Sequence, residues 1–129
     1  MMRPHPEPDV AAFLRACPIE DLFLPIVVAA ELRYGLALLP RGRRRSTLES
    51  NLNAVLAQGF QGRILVFDEA CAAGYATVRS ARERAGRPVP MADALIGGMA
   101  LAHGATLATC NVADFTGYGL AIVNPWNGQ

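Results

Sequence analysis

Four polar residues stand in places where their neighbours give little reason for them: Glu31, Asp93, Asn111 and Asp114. Glu31 shares a helical stripe with Val27, Val28, Tyr34, Gly35 and Leu38, where a carboxylate is desolvated unless an Arg or a metal compensates it. Taken alone, an Arg-paired structural acid is the simpler account, because buried charges are usually paired. Asp93 falls in the first turn of a helix that follows Pro88-Val89-Pro90, and an acid there already offsets the macrodipole. Yet Ile96, Gly97 and Ala100 follow at helical spacing, so Asp93 faces a side that packs. Gly97 and Gly98 each weaken a helix by about 1 kcal/mol relative to Ala, which points to something approaching that face closely.

Asn111 and Asp114 come directly after a predicted strand, Ala105 to Thr109, and ligands of open α/β sheets bind beyond the carboxyl ends of strands. Singly, Asn111 reads as an N-cap or Asx turn and Asp114 as a solvated loop acid. Together, three carboxylates and an amide make a different object. Two carboxylates ~4 Å apart repel by about 4 kcal/mol at an effective dielectric near 20, a cost that a hard divalent cation removes. Oxygen ligands without His or Cys favour Mg²⁺ or Mn²⁺ over Zn²⁺. An ion held in that way, with water in its other positions, is the apparatus of phosphodiester hydrolysis.

Absent motifs narrow the field. There is no G-x-G-x-x-G or P-loop, and no G-x-S-x-G elbow or H-E-x-x-H. A receiver-like domain needs a late Lys, and the chain has none. His103 precedes Gly104 at a helix end, where a dipole or capping role suffices; His5 lies in a proline-rich start and reads as solvated.

The elements that would carry these residues follow from periodicity. An extended start with Pro4, Pro6 and Pro8 leads to a short helix capped by Asp9 and running to about Cys17. Leu22-Phe23-Leu24 reads as a strand. The helix Val27 to Leu39 is stopped by Pro40 and Gly42, and its nearly all-round apolar surface predicts extensive burial. Arg41 to Ala57 is predicted helical with Leu48, Leu52, Val55 and Leu56 inward. Arg63 to Phe67 is a strand. Asp68 caps a helix to about Ala85, with Ala72, Tyr75, Ala76 and Val78 inward and Arg82 on a solvated face. Met91 to His103 is a helix ended by Gly104, and Ala105 to Thr109, a turn at Asn111 to Phe115 and a strand at Ala121 to Val123 complete the order. Short apolar strands alternating with helices predict a parallel sheet between helical layers.

With 129 residues and 13.8 kDa, the chain is read as a single domain spanning 1–129. Its 52% hydrophobic and 18% charged residues exclude a disordered tail, and a net charge of +1 excludes a strongly basic DNA-coating protein. All 12 basic residues are Arg, which suits fork-shaped contacts to carboxylates and phosphates. Arg41, Arg43, Arg44 and Arg45 crowd the start of a helix. Basic charge there opposes the macrodipole, so these residues read either as contacts to RNA phosphates or as a solvated helix start. Three widely spaced cysteines read as reduced thiols. No signal-peptide pattern opens the chain, and the apolar run Leu22 to Ala30 is shorter than the ~20 residues of a membrane span, so a soluble, cytoplasmic protein is expected.

The segments Ala29-Ala30-Glu31-Leu32-Arg33-Tyr34-Gly35, Arg63-Ile64-Leu65-Val66-Phe67-Asp68-Glu69 and Gly86-Arg87-Pro88 through Ala92-Asp93-Ala94 form an ordered pattern. His103 to Thr109, Asn111-Val112-Ala113-Asp114-Phe115 and Asn124-Pro125-Trp126 continue it. In this order the chain resembles the PIN-domain ribonuclease toxins of the VapC type, especially the FitB-like branch. The resemblance implies a three-layer α/β/α PIN-like fold around a short parallel sheet, and a Mg²⁺- or Mn²⁺-dependent endoribonuclease that is the toxin of a type II toxin–antitoxin system. By that resemblance Glu31 and Asp93 are the second and third acids of the metal site. Asp114 is the charged ligand or base at the fourth position, and Asn111 orients a water. It also implies a homodimer, a cognate antitoxin of the VapB/FitA type and an RNA substrate. The family's first strand, which ends in Asp-Thr-Asn, would precede the first residue of this chain, so the first central strand and first acid are expected to be absent. The alternative reading is a catalytically impaired PIN-like module that binds an antitoxin or RNA without cleaving.

Overall fold

The computed structural model describes Ala12 and residues 15–125; most of the helix expected from Asp9 to Cys17 lies outside the described residues. The chain packs as two compact units, Pro18–Val66 on one hand and, with Ala12 and residues 15–17, residues 67–125 on the other.

The first unit is built on leucine spacing. After a 3-10 turn, Ile19–Asp21, come strand β1 (Leu24–Pro25), helix α1 (Ile26–Ala37), helix α2 (Arg43–Ala54), a π turn (Val55–Gly59) and strand β2 (Ile64–Leu65). Leu32, Leu36 and Leu39 on α1 and its exit meet Leu48, Leu52 and Leu56 on α2 and the π turn, with Ala29, Leu24 and Ile64 closing the cluster. Spacings of three and four residues keep both stripes on one side of each helix. β1 and β2 pair in parallel, Leu24 opposite Ile64 and Pro25 opposite Leu65. The Arg63 guanidinium donates to the carbonyls of Leu22 and Gly59 and lies over the Phe60 ring, tying the entry of β2 to the approach to β1.

Two expectations for this unit need correction. The helix read as largely buried presents much of its apolar surface: Tyr34 is 63% and Leu38 67% exposed. Within the unit, α2 and β1 cover only the Ala29–Leu32–Leu36 side. Val55, expected inward, is exposed, because the backbone widens into the π turn there, with Phe60 N–H donating to the Val55 carbonyl.

The second unit contains helix α3 (Glu69–Arg84), helix α4 (Met91–His103), strand β3 (Leu107–Ala108), a 3-10 turn (Val112–Phe115) and strand β4 (Ile122–Val123). β3 and β4 pair in parallel, Leu107 opposite Ile122. α3 and α4 meet backbone to backbone. A Cβ on Gly74 would lie 2.3 Å from the Gly98 carbonyl oxygen, and one on Gly98 would lie 2.4 Å from the Tyr75 nitrogen. The close approach that Gly97 and Gly98 anticipated is therefore present. Gly104 adopts the left-handed conformation that closes α4 (φ 60°), and Ala105 N–H donates back to the Ala100 carbonyl.

Asp68 caps α3 as expected, its Oδ1 accepting from the Cys71 N–H at 3.0 Å. The inward stripe of α3 differs from expectation. Cys71, Gly74, Val78 and Arg82 are buried, while Ala76 is exposed. Arg82, read as solvated, is only 6% exposed.

Candidate functional site

The acids of interest divide between the units. Glu31 lies on α1 of the first unit; Asp93, Asn111 and Asp114 lie in the second. Among the described residues, no three His, Cys, Asp or Glu side chains gather in a group able to hold a metal.

Glu31 is exposed rather than desolvated. The stripe it shares with Val27, Val28, Tyr34 and Leu38 is not the one packed on α2. It lines a cavity of ≈ 200 Å³ together with Leu32, Gly35, Leu36, Leu39, Arg44 and Leu48. Most of that wall is apolar, with Glu31 and Arg44 its charged groups. Of the four arginines at the start of α2, Arg41, Arg43 and Arg44 are exposed. Arg45 is half-buried and engaged, its Nε 3.3 Å from Glu49 and its Nη1 3.4 Å from the Leu39 carbonyl.

The second-unit group is held more tightly. Asp93, in the first turn of α4, is half-buried. One helical turn further along the same face, Gly97 meets the loop that carries Asp114. A Cβ on Gly97 would stand 3.4 Å from the Phe115 ring and 2.8 Å from the Tyr118 hydroxyl. Phe115 is buried and Asp114, beside it, is half-buried. Asn111 is exposed and opens the 3-10 turn, its carbonyl accepting from Asp114 N–H and its own N–H donating to Thr109 Oγ1. Asn111 thus stands at the N-cap position its residue type suggested, but its side chain makes no capping hydrogen bond there.

Arg82 fixes this turn to α3. Its Nη1 donates to the carbonyls of Ala113 and Thr116, each at 3.0 Å, and its Nε to that of Arg87 at 2.9 Å. The guanidinium thus finds three backbone acceptors on two loops, which satisfies a buried charge without a carboxylate. It sits four residues beyond Val78 on the same face, a spacing that could have marked it as inward. Tyr118 was also missed. Its hydroxyl is buried and has no hydrogen-bond partner, an arrangement that costs about 1–3 kcal/mol. Burial pushes the phenol's pKa up; the Arg82 charge opposes this, while those of Asp93 and Asp114 add to it. The signal available in sequence was a lone aromatic between Gly117 and Gly119, three residues after the buried Phe115.

At the far end of α4, His103 Nε2 lies 3.9 Å from the Cys71 sulfur. Cys71 is fully buried, and that burial raises its thiol pKa, so it is no nucleophile. His103 remains an end-of-helix residue beside the Asp68 cap.

The second unit's donors suit a hard divalent cation. Asp93 and Asp114 offer only oxygen, and Mg²⁺ commonly takes one or two carboxylates while keeping several waters.

A match to the PIN domain family covers residues 1–116 of this chain. Among curated relatives, the plasmid stability protein StbB of Pseudomonas syringae pv. tomato is 40% identical over 96% of this chain and 89% of its own length. The toxin FitB of Neisseria gonorrhoeae is 38% identical over 98% of this chain and 91% of its own length. The VapC ribonuclease Y4jK of Sinorhizobium fredii is 35% identical over 98% and 90%. Among solved structures, that of FitAcB from Neisseria gonorrhoeae superposes with a TM-score of 0.87 at 39% identity, covering 96% of this chain and 89% of that one.

Proposed function

Because the chain belongs to the PIN-domain family, we propose that it is a divalent-metal-dependent endoribonuclease, the toxin component of a type II toxin–antitoxin system. The observation that carries this reading is the corner of the second unit, where Asp93 and Asp114 stand half-buried on neighbouring elements with a phenol short of a hydrogen bond between α4 and the loop. Relatives named a toxin and a ribonuclease support it.

In this reading Asp93 and Asp114 would hold Mg²⁺ or Mn²⁺, and Asn111 would orient a water. What the ion supplies when bound is a polarised phosphoryl oxygen and a more acidic water. Arg82 keeps the Asp114 turn seated so that its carboxylate does not drift. Arg41, Arg43 and Arg44, exposed at the start of α2, take RNA phosphates and position the strand without reading its bases. Arg45, already engaged with Glu49, contributes less.

The antitoxin is of the VapB/FitA type, and a second copy of the chain completes a homodimer. The exposed apolar residues Ile26 and Tyr34 of α1 and Leu38 at its exit supply surface for such partners. No helix among the described residues is long and apolar enough to cross a membrane, and the site of action in this reading is the cytoplasm.

The test is cleavage of labelled RNA by the purified chain with Mg²⁺ or Mn²⁺. Asp93→Asn removes a ligand charge but little volume, so cleavage should fall at least about a hundredfold while the melting temperature moves by no more than about 2 °C. Cleavage retained by Asp93→Asn would overturn the assignment. RNA or antitoxin binding by a wild-type chain that never cleaves would favour the non-catalytic module instead.

A further inference from the structure

Arg82 ties together the two segments that carry the second unit's acids. On one side its Nη1 donates to the Ala113 and Thr116 carbonyls, each at 3.0 Å, and those residues flank Asp114 and Phe115. Thr116 Oγ1 donates to the same Ala113 carbonyl at 3.2 Å, and Asp114 N–H to that of Asn111 at 3.1 Å. The turn is thus closed on itself and then pinned at both ends. On the other side Arg82 and Arg87 exchange two bonds. Nε donates to the Arg87 carbonyl and Arg87 N–H to the Arg82 carbonyl, both at 2.9 Å. Only Pro88, Val89 and Pro90 separate that point from α4, whose third residue is Asp93. Two prolines in three residues hold φ at roughly −65°, so the link is short and stiff.

Apolar packing alone already seats Phe115 against α4 at Gly97, and a buried charge is a costly addition to it. Arg82 is only 6% exposed, so its guanidinium has given up its hydration. Its shape does what an apolar side chain cannot, because a planar fork reaches carbonyls on two separate loops at once. The carboxylates that follow those attachment points are thereby held at one spacing.

We infer that Arg82 is a positioning residue that fixes the spacing of Asp93 and Asp114 and so makes their site select Mg²⁺ over Ca²⁺. The inference rests on the cation site proposed above and deepens it. Mg²⁺ takes one or two carboxylates in strict octahedral geometry, whereas Ca²⁺ gathers roughly six to eight oxygens in a flexible shell. Two carboxylates on clamped loops meet the first demand and cannot rearrange for the second. Released from the clamp, the Asp114 turn is free to bring further oxygens round a larger ion.

The test measures Mg²⁺ and Ca²⁺ binding separately, without RNA, by calorimetry on the full chain, alongside thermal unfolding. Arg82→Lys keeps the charge and loses the fork, and its preference for Mg²⁺ over Ca²⁺ should fall about tenfold or more. Pro88→Gly, at an exposed position, leaves the hydrogen bonds of Arg82 in place and loosens the link to α4. It should lower the same ratio by a smaller factor. Val78→Ala, one turn before Arg82 on the buried side of α3, should lower the melting temperature and leave the ratio within about twofold of wild type. A ratio unchanged in both Arg82→Lys and Pro88→Gly, with Mg²⁺ binding abolished in Asp93→Asn, would overturn the role of Arg82 and leave the cation site standing. A ratio that falls as far in Val78→Ala as in Arg82→Lys would overturn it too, since lost stability would then account for the change. Where Arg82→Lys does not fold, Pro88→Gly decides, and an unchanged ratio there overturns the role. No Mg²⁺ binding by the wild-type chain would overturn the cation site itself, and this inference with it.

Discussion

The two units solve the same problem, holding an acid on a helix, by opposite means. In the first, interdigitating leucines fasten one side of α1 and leave Glu31 exposed on another. In the second, α3 and α4 touch through Gly74 and Gly98 with no side chain between them, and the turn bearing Asp114 hangs on Arg82. Leucine packing tolerates adjustment, because side chains can repack. Contact between two backbones and a three-pronged guanidinium cannot adjust in that way. The difference teaches where rigidity has been placed: around the half-buried acids, not around the exposed one.

The largest test of this contrast removes the guanidinium. Arg82→Ala leaves three carbonyls without their cationic donor and should destabilise the protein by about 3 kcal/mol or more, read as a lower denaturant midpoint. Read from sequence as solvated, the same position would have been expected to change stability by less than about 0.5 kcal/mol. A pair of glycine substitutions sharpens the contrast further. Gly98→Ala drives a methyl into the Tyr75 backbone and should cost about 1–3 kcal/mol. Gly35→Ala meets nothing within 4 Å on α1 and should stabilise by about 0.5–1 kcal/mol. Equal effects at the two sites would dissolve the distinction drawn here.

The smallest effect is one of pH. The Cys71 N–H holds the Asp68 carboxyl below its ordinary range, with His103 adding to the effect. A carboxyl lowered in the folded state adds stability that is complete above its unfolded pKa, near 3.9, and is lost as pH falls through the lower folded value. Melting temperature should therefore decline with acid below roughly pH 4, and Asp68→Asn should make that decline shallower. An unchanged acid limb in Asp68→Asn would show that the cap carries no linkage.

Elements set by local chemistry were legible in the sequence. α4 spans Met91 to His103 as its flanking Pro90 and Gly104 implied, the Asp68 cap forms, and the glycines of α4 meet a close neighbour. Elements set by what covers a surface were not. The all-round apolar character of α1 says that something packs on it, but not how much of it the chain itself covers, and Leu38 stays exposed. Arg82 was misread because burial of a guanidinium depends on carbonyls 31 and 34 residues away, which no local spacing reports. Of the candidate acids, Asp93 was placed on its packed face because Gly97 and Ala100 share that face. Tyr118 stayed hidden because its only local mark, the glycines beside it, is common to any loop.

The Arg82 anchor has a consequence for how the sequence can drift. All three of its acceptors are main-chain oxygens, at Arg87, Ala113 and Thr116, so side chains at those positions can be exchanged over generations without loosening it. Position 82 has no such latitude. Lysine presents a single point of charge and cannot span three oxygens with a planar fork, so the latitude of the loop depends on an arginine at one position of the helix behind it.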